Sequence, residues 1–295
     1  MDPAVLVVAQ GVLVRLAVAV LMVSIGLRVP LAKVRVSLRQ RSAVAATLVV
    51  ALLCVPVIGW STVWAFGLAP PIAFGILLTV SSPGGSMALK LVDLADGALD
   101  LGLGLYFLLA VIAPFALPVT AFVLIGFDAS AMTGEVAGIL LTLVTIQLVP
   151  LLIGIAIARV RPAIARQLGI GATRATTVLL AALIGVGILV NRDHIVAVGP
   201  SGVAAIIVID LVTVVIGLLL GRRDPRTGRT VAFLAAQRSA SLALLVTVLL
   251  GDAQATGVVL AYGIVLLIIN PISARIVAMA QPLRSSSVRQ PSTTG

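Results

Sequence analysis

Nine apolar runs of about 20 residues follow one another along the chain, separated by short polar connections. They cover approximately residues 4–28, 43–65, 70–96, 98–125, 136–158, 175–191, 200–221, 230–250 and 254–279. A helical run of that length matches a hydrocarbon core of about 30 Å, where every backbone amide must be paired within the span or against other protein. Few folds satisfy this. The pattern predicts an all-α polytopic membrane protein with nine spans, multi-pass in the cell membrane and surrounded by the lipid bilayer. The charged fraction of 10% agrees, since soluble domains carry about 25%. The first run has no basic residue ahead of it and carries Arg15 inside it, so it reads as a span and not as a cleavable leader.

The net charge of +10 would suit a nucleic-acid partner if the basic residues formed a face. They do not. Fifteen lie in the connections after the first, fifth and seventh runs and after the ninth, and Arg192 alone lies in a connection on the other side. With alternating spans, the basic connections share one side, which the positive-inside rule makes cytoplasmic. The N-terminus is then outside, the C-terminus cytoplasmic, and no nucleic-acid partner is expected. One cysteine, Cys54, excludes a disulfide framework, and the one histidine, His194, sits in a polar connection. No Ser/His/Asp, paired Asp or His-rich metal arrangement lies within the runs, so neither an enzyme nor a metal site is expected.

The third run is interrupted. Pro83 removes a backbone donor and Gly84-Gly85 weakens the helix, twelve residues after Pro71. At 1.5 Å per residue the interruption lies about 18 Å in, near mid-depth. Discontinuous helices at that depth are where secondary transporters bind their cargo. The eighth run carries a second polar insertion, Ala235 to Ser241, at similar depth from the opposite side, although it holds neither glycine nor proline. Runs two to four and seven to nine thus correspond with opposite topology, an inverted repeat with two crossing broken helices. Residues 1–158 form the first half together with the fifth run, residues 159–279 the second half, and 280–295 a polar cytoplasmic tail expected to be disordered. The stretch from Arg159 to Arg174 is the expected linker between the halves.

The two interruptions supply the expected substrate-binding residues: Ser82, Pro83, Gly84, Gly85 and Ser86 from one, and Gln237, Arg238 and Ser239 from the other. Arg15, Asp210 and Arg238 lie mid-run, where each costs about 2.5–3.5 kcal/mol to insert, so each is expected to face the bundle interior and find a partner. Arg238 is open to two compatible readings, an anion clamp or built-in cation and an ion pair with Asp210. Asp210 is a static counter-ion or a proton-coupling carboxylate, and Arg15 is read as structural or snorkelling. Lys90 and Asp93 are spaced to pair, and Asp96 or Asp100 to cap the following helix. Pro114, Pro118 and Pro271 are read as kinks, and Gln147, Asn191 and Asn270 as cross-helix bonds or cavity lining.

At this point a resemblance becomes specific. Pro83-Gly84-Gly85-Ser86 followed by Leu94-Ala95-Asp96-Gly97 resembles the fourth-helix motif of the bile acid:sodium symporter superfamily. Arg229-Thr230 and Leu242-Ala243 bracket a segment similar to its ninth-helix motif. Pro150 to Gly154 and Met22 to Leu27 resemble two further motifs. The resemblance implies a core of six helices, with two broken ones crossing, and a panel that rocks against it. It also implies sodium sites, and here the chain departs. The expected Ser-Asn pair is Ala88-Leu89, two hydroxyl positions are Gly102 and Tyr106, and the ninth-helix carboxylate is Leu234. Ala236, Arg238 and Ser239 fill the next family positions in one register, and Gln237 with Arg238 in the other. A hard cation wants several oxygens, so no sodium or other cofactor is expected at these positions.

The expected function is a secondary transporter for a small organic, anionic solute, working by alternating access and not coupled to sodium through the family sites. The alternatives are a sodium- or proton-coupled organic anion symporter and, from another class, a non-transporting receptor or structural bundle.

Overall fold

The computed structural model describes residues 3–29, 31–125, 133–221 and 224–280. Among these, seven helices are long and apolar enough to cross a membrane. The first is α1 (Pro3–Arg28), followed by the short α2 (Leu31–Leu38). The second is composite: α3 (Arg41–Val49) runs through a π-helical turn, Val50–Cys54, into α4 (Val55–Ala65). α7 (Leu99–Ile125), α8 (Thr133–Val160), α9 (Pro162–Val196), α10 (Gly199–Leu220) and α13 (Ala253–Ala280) are the others. Two further elements are broken pairs: α5 (Pro70–Val80) with α6 (Ala88–Leu94), and α11 (Pro225–Ala236) with α12 (Ala240–Leu249).

The helices sort into two sets. α1 packs along both α8 and α9 as a three-helix panel. The remaining long helices and the two broken pairs form a core, in which α10 packs on α11, and α13 on α5 and α12. α13 and α12 meet the panel through α9 and α1. Small residues decide how close the helices come, since apolar burial does not drive one helix against another inside lipid. A Cβ on Gly26 would lie 2.3 Å from the Leu151 carbonyl and 3.0 Å from Gly154 Cα, and one on Gly154 would lie 2.6 Å from the Val23 carbonyl. The α1 and α8 motifs noted above are thus the two halves of one backbone contact. In the core, a Cβ on Gly217 would fall 2.3 Å from Ala232 Cα, and one on Gly221 2.1 Å from Gly228 Cα, so α10 and α11 touch along facing small-residue rows.

Several expectations need correction. The stretch from Arg159 to Arg174 is not an open linker: α8 continues to Val160 and α9 begins at Pro162, leaving only Arg161 between them. Pro162 suits a first helical turn, and Gly169 and Gly171 are tolerated within the stretch, so α9 reaches 35 residues. Lys90 and Asp93 form no ion pair. Instead Lys33 on α2 reaches Asp100 at 2.6 Å, and buried Arg229 lies 3.9 Å from Asp96. Neither Asp96 nor Asp100 caps α7: Asp96 adopts a left-handed φ of 55°, and the Ala98 amide donates to Thr230 Oγ1 at 2.8 Å. Carboxylates that do cap helices are Asp224, which accepts from the Arg226 and Thr227 amides ahead of α11, and Asp252, which accepts from the Ala255 amide ahead of α13. The tail 281–295, with Arg284 and Arg289, and the pair Arg222 and Arg223 lie outside the described residues.

Candidate binding site at the crossing of the broken helices

α5 ends at Val80 because Pro83 has no amide to donate and Gly84 takes a φ of +86°, a left-handed value that glycine adopts without strain. α11 ends at Ala236 with no such residue. Its break is made by the first one. The Gly85 amide donates to the Gln237 carbonyl at 3.0 Å, and the Ser239 amide to the Ser82 carbonyl at 2.8 Å. The result is an isolated antiparallel bridge between Pro83 and Arg238. Ser82 Oγ reinforces it by donating to the Thr79 and Ser239 carbonyls, at 2.9 and 3.2 Å. A Cβ on Gly85 would sit 2.4 Å from the Arg238 carbonyl oxygen, so the strand-like contact needs glycine there. Two irregular segments in the buried interior satisfy each other's peptide groups, which is the condition for such backbone within a membrane protein.

The Arg238 side chain closes the junction from within. Arg238 is 1% exposed. Nη2 donates to the Val80 carbonyl at the end of α5, and Nη1 to the Ala235 carbonyl at the end of α11, at 3.3 Å. Nη1 also donates to the Ala51 carbonyl at 3.1 Å. That third acceptor has a covalent cause. In the π-helical turn the carbonyl of residue 51 would accept from residue 56, and residue 56 is proline. One guanidinium therefore takes up carbonyls left over at three helix irregularities. Helix C-termini carry partial negative charge, and a planar cation with several donors is the side chain best suited to collect them.

Asp210 does not join this group. No cation lies within ion-pairing distance of it among the described residues, so the expected pair with Arg238 is not formed. Its hydrogen-bond partner is the Asn270 amide, which with its nitrogen turned to the carboxylate lies 3.0 Å from each oxygen. The other side of that amide is 2.9 Å from Gln237 Oε1. Arg15 departs from expectation as well: it is exposed on α1 and folds back onto the Gly11 carbonyl of its own helix at 3.3 Å. Asn191 bonds Gln10 across the α1–α9 contact at 3.2 Å, beside the one non-helical residue within α9, Asn191 itself.

Between panel and core lies a cavity of about 690 Å³, within the range of small-molecule sites. The core lines it with Ser86, Met87, Lys90 and Tyr106 and with Gln237, Arg238, Ser239 and Ser241 from the second break. The panel contributes Ser24, Arg28, Thr173, Thr176 and Thr177. Of the residues expected at the site, Ser86, Gln237, Arg238 and Ser239 line this space, while Ser82, Pro83, Gly84 and Gly85 form the backbone junction beside it, and Asp210 and Arg15 are not among its lining residues. The guanidinium of Arg238 is committed to carbonyls, so the cations at the cavity are Arg28 and Lys90, both exposed. Arg28 Nη1 donates to Thr173 Oγ1 at 2.9 Å, and Ser24 Oγ lies 3.0 Å from the same hydroxyl. The threonine face of α9 has a sequence signal that reading by span missed: positions 173, 176 and 177 lie at the i, i+3, i+4 spacing of one helix face.

A family model described as the Sodium Bile acid symporter family matches residues 15–198, which include α1 from Arg15 onward, the first break and all of α8. Among curated proteins there is no match. The matched span covers more than half of the chain and carries both the Pro83-Gly84-Gly85 break and the Gly26–Gly154 contact. The match over those residues, in a chain with seven helices long and apolar enough to cross a membrane among the described residues, shows that the chain belongs to the sodium bile acid symporter family of membrane transporters.

Proposed function

We propose that this protein is a secondary transporter that carries a small organic anion through the cavity between panel and core by alternating access, with no sodium at the positions the family uses. The observation that carries the reading is the seat of Arg238: a fixed cation bonds the carbonyls of Val80, Ala51 and Ala235 at the meeting point of three irregular helices. In this reading the guanidinium does the electrostatic work of a bound cation. The positions that would otherwise supply oxygen ligands support it, because Ala88 and Leu234 are fully buried and apolar and Gly102 has no side chain.

The long helices and the two broken pairs count as nine spans, and α3–α4, α5–α6 and α7 correspond to α10, α11–α12 and α13 as an inverted repeat. With Arg28 and Lys90 at its lining, the cavity faces the basic side of the protein, which is the cytoplasm by the positive-inside rule. A largely apolar space with two cations and a row of hydroxyls suits an amphiphilic carboxylate or sulfonate better than a sugar or a cation. Uptake of a panel of labelled organic acids into vesicles containing the purified protein tests the reading. Accumulation of at least one acid, unchanged when sodium is replaced by potassium, is the expected result. No uptake of any acid, with no acid stabilising the protein, would favour a non-transporting bundle. Uptake that collapses without sodium would refute the fixed-cation reading.

A further inference from the structure

Asn270 lies on α13 between two other polar side chains, and all three are shut away from bulk water: Asn270 is 0% exposed, Asp210 2% and Gln237 7%. A primary amide has one donor side and one acceptor side. Whichever side Asn270 turns to Asp210, it turns the other to Gln237. An ionised carboxylate only accepts, so it requires the Asn270 nitrogen, which then lies 3.0 Å from both carboxylate oxygens. The Asn270 oxygen then faces Gln237, whose NH2 group must turn to it, leaving Gln237 Oε1 towards the cavity. A protonated Asp210 has a hydroxyl to donate, so it accepts the reverse orientation. Asn270 Nδ2 then donates to Gln237 Oε1 at 2.9 Å, and the Gln237 NH2 group faces the cavity that this residue lines.

We propose that Asp210, Asn270 and Gln237 form a relay through which one proton, held on Asp210, switches the group that Gln237 presents in the cavity from a hydrogen-bond acceptor to a donor. The inference rests on the reading of that cavity as the solute site. An anionic solute beside Gln237 is repelled by the acceptor form and bonded by the donor form. Proton and anion then favour each other's binding, and by reciprocity each raises the affinity for the other by the same factor. The proton stays on Asp210 and never reaches the solute, because the amides between them exchange orientation and not protons. The surroundings of Asp210 leave the switch intact. Tyr262 on α13 is in electrostatic reach of both Asp210 and Arg238, and the Arg238 guanidinium is tied to carbonyls. The other titratable groups on elements packed against α10 are Arg41, Cys54, Arg226, Arg229 and Arg275, and none of them is in an ion pair with Asp210.

The relay is testable without knowing the solute. Infrared difference spectra of the full chain in lipid discs, recorded across a pH titration, should show a protonated-carboxyl band that is absent from Asp210→Asn. Side-chain amide bands should change in the same step. In Gln237→Met the amide change should shrink, since the partner that reorients with Asn270 between the two protonation states is removed. Asn270→Leu should abolish the amide change while the carboxyl step persists. A carboxyl step with no amide component, an amide change that survives Asp210→Asn, or an amide change as large in Gln237→Met as in the unmodified protein would each overturn the relay. A second arm uses benzoate as probe: its stabilisation of the protein should be larger below the carboxyl step than above it, and equal on both sides in Asp210→Asn. Loss of the amide coupling defeats the relay even if benzoate stabilises the protein. An intact coupling with no benzoate effect at any pH, and no acid taken up, defeats the solute-site reading and leaves the relay standing.

Discussion

Replacing Arg238 by methionine keeps the apolar stem and deletes the guanidinium, which makes the energetic role of this residue measurable. The Val80, Ala51 and Ala235 carbonyls lose their donor together, inside a junction where Val80 and Ala51 are fully buried and Ala235 is at 0% exposure. An orphaned buried acceptor costs about 1–3 kcal/mol, so the gross loss is roughly 3–9 kcal/mol. Against it stands the relief of no longer burying a cation whose Nε finds no acceptor, several kcal/mol by itself. The net expectation is a destabilisation of about 2–4 kcal/mol. Arg238→Lys should recover part of it, because an ammonium keeps the charge but cannot span carbonyls from three segments in one plane. Reversible unfolding in mixed micelles, followed by circular dichroism, measures both variants. An Arg238→Met protein within about 0.5 kcal/mol of the parent, the scatter of ordinary surface substitutions, would show that the guanidinium is not holding the broken helices together.

Three further outcomes follow from the same geometry. Gly85→Ala places a Cβ 2.4 Å from the Arg238 carbonyl; it should cost at least about 1–3 kcal/mol as an overpacked site and increase hydrogen exchange at Gly85 and Ser239, whereas parental exchange at those amides would contradict the bridge. Gly154→Val should push α8 off α1, since even a Cβ there meets the Val23 carbonyl at 2.6 Å, and a cysteine cross-link between these helices should form more slowly than in the parent; an unchanged rate would refute the close contact. Asp224→Ala should lower stability by about 1 kcal/mol through loss of the α11 cap. The Thr227 hydroxyl, with the Thr227 and Arg226 amides, holds the Asp224 carboxyl below the usual carboxylate range. Its contribution is thus present above the unfolded carboxylate's pKa and disappears as pH falls through the lower folded value, so variant and parent should converge in acid, and a difference that persists there would contradict the assignment.

Depth along a helix was legible in the residues, and direction around it was not. Pro83-Gly84-Gly85 announces a break by its own chemistry, and counting from Pro71 puts it mid-span. Gln237-Arg238-Ser239 contains no breaker, because its helix ends through what the first break donates and accepts across the bundle, a tertiary cause with only a polar cluster as its trace. Arg15, Asp210 and Arg238 all read as mid-depth charges. Arg15 nevertheless points outward from α1, and Asp210 meets an amide in place of the arginine. The Ala51 acceptor was signalled by Pro56, but only the π-helical register connects the two residues, and that register appears in the folded chain alone. Lys90 and Asp93 fit a helical pair by spacing, yet the charges near that end find partners on other elements: Lys33 with Asp100, and Arg229 with Asp96.

The claim that a built-in guanidinium stands where a bound cation would otherwise be needed is tested most directly by equilibrium binding of radiolabelled sodium to the purified protein, with no solute present. The account predicts no saturable sodium binding in the parent protein, and none in Gln237→Met or Ser239→Ala. Saturable binding in the parent that is weakened by either substitution would place sodium at the crossing beside Arg238 and contradict the account.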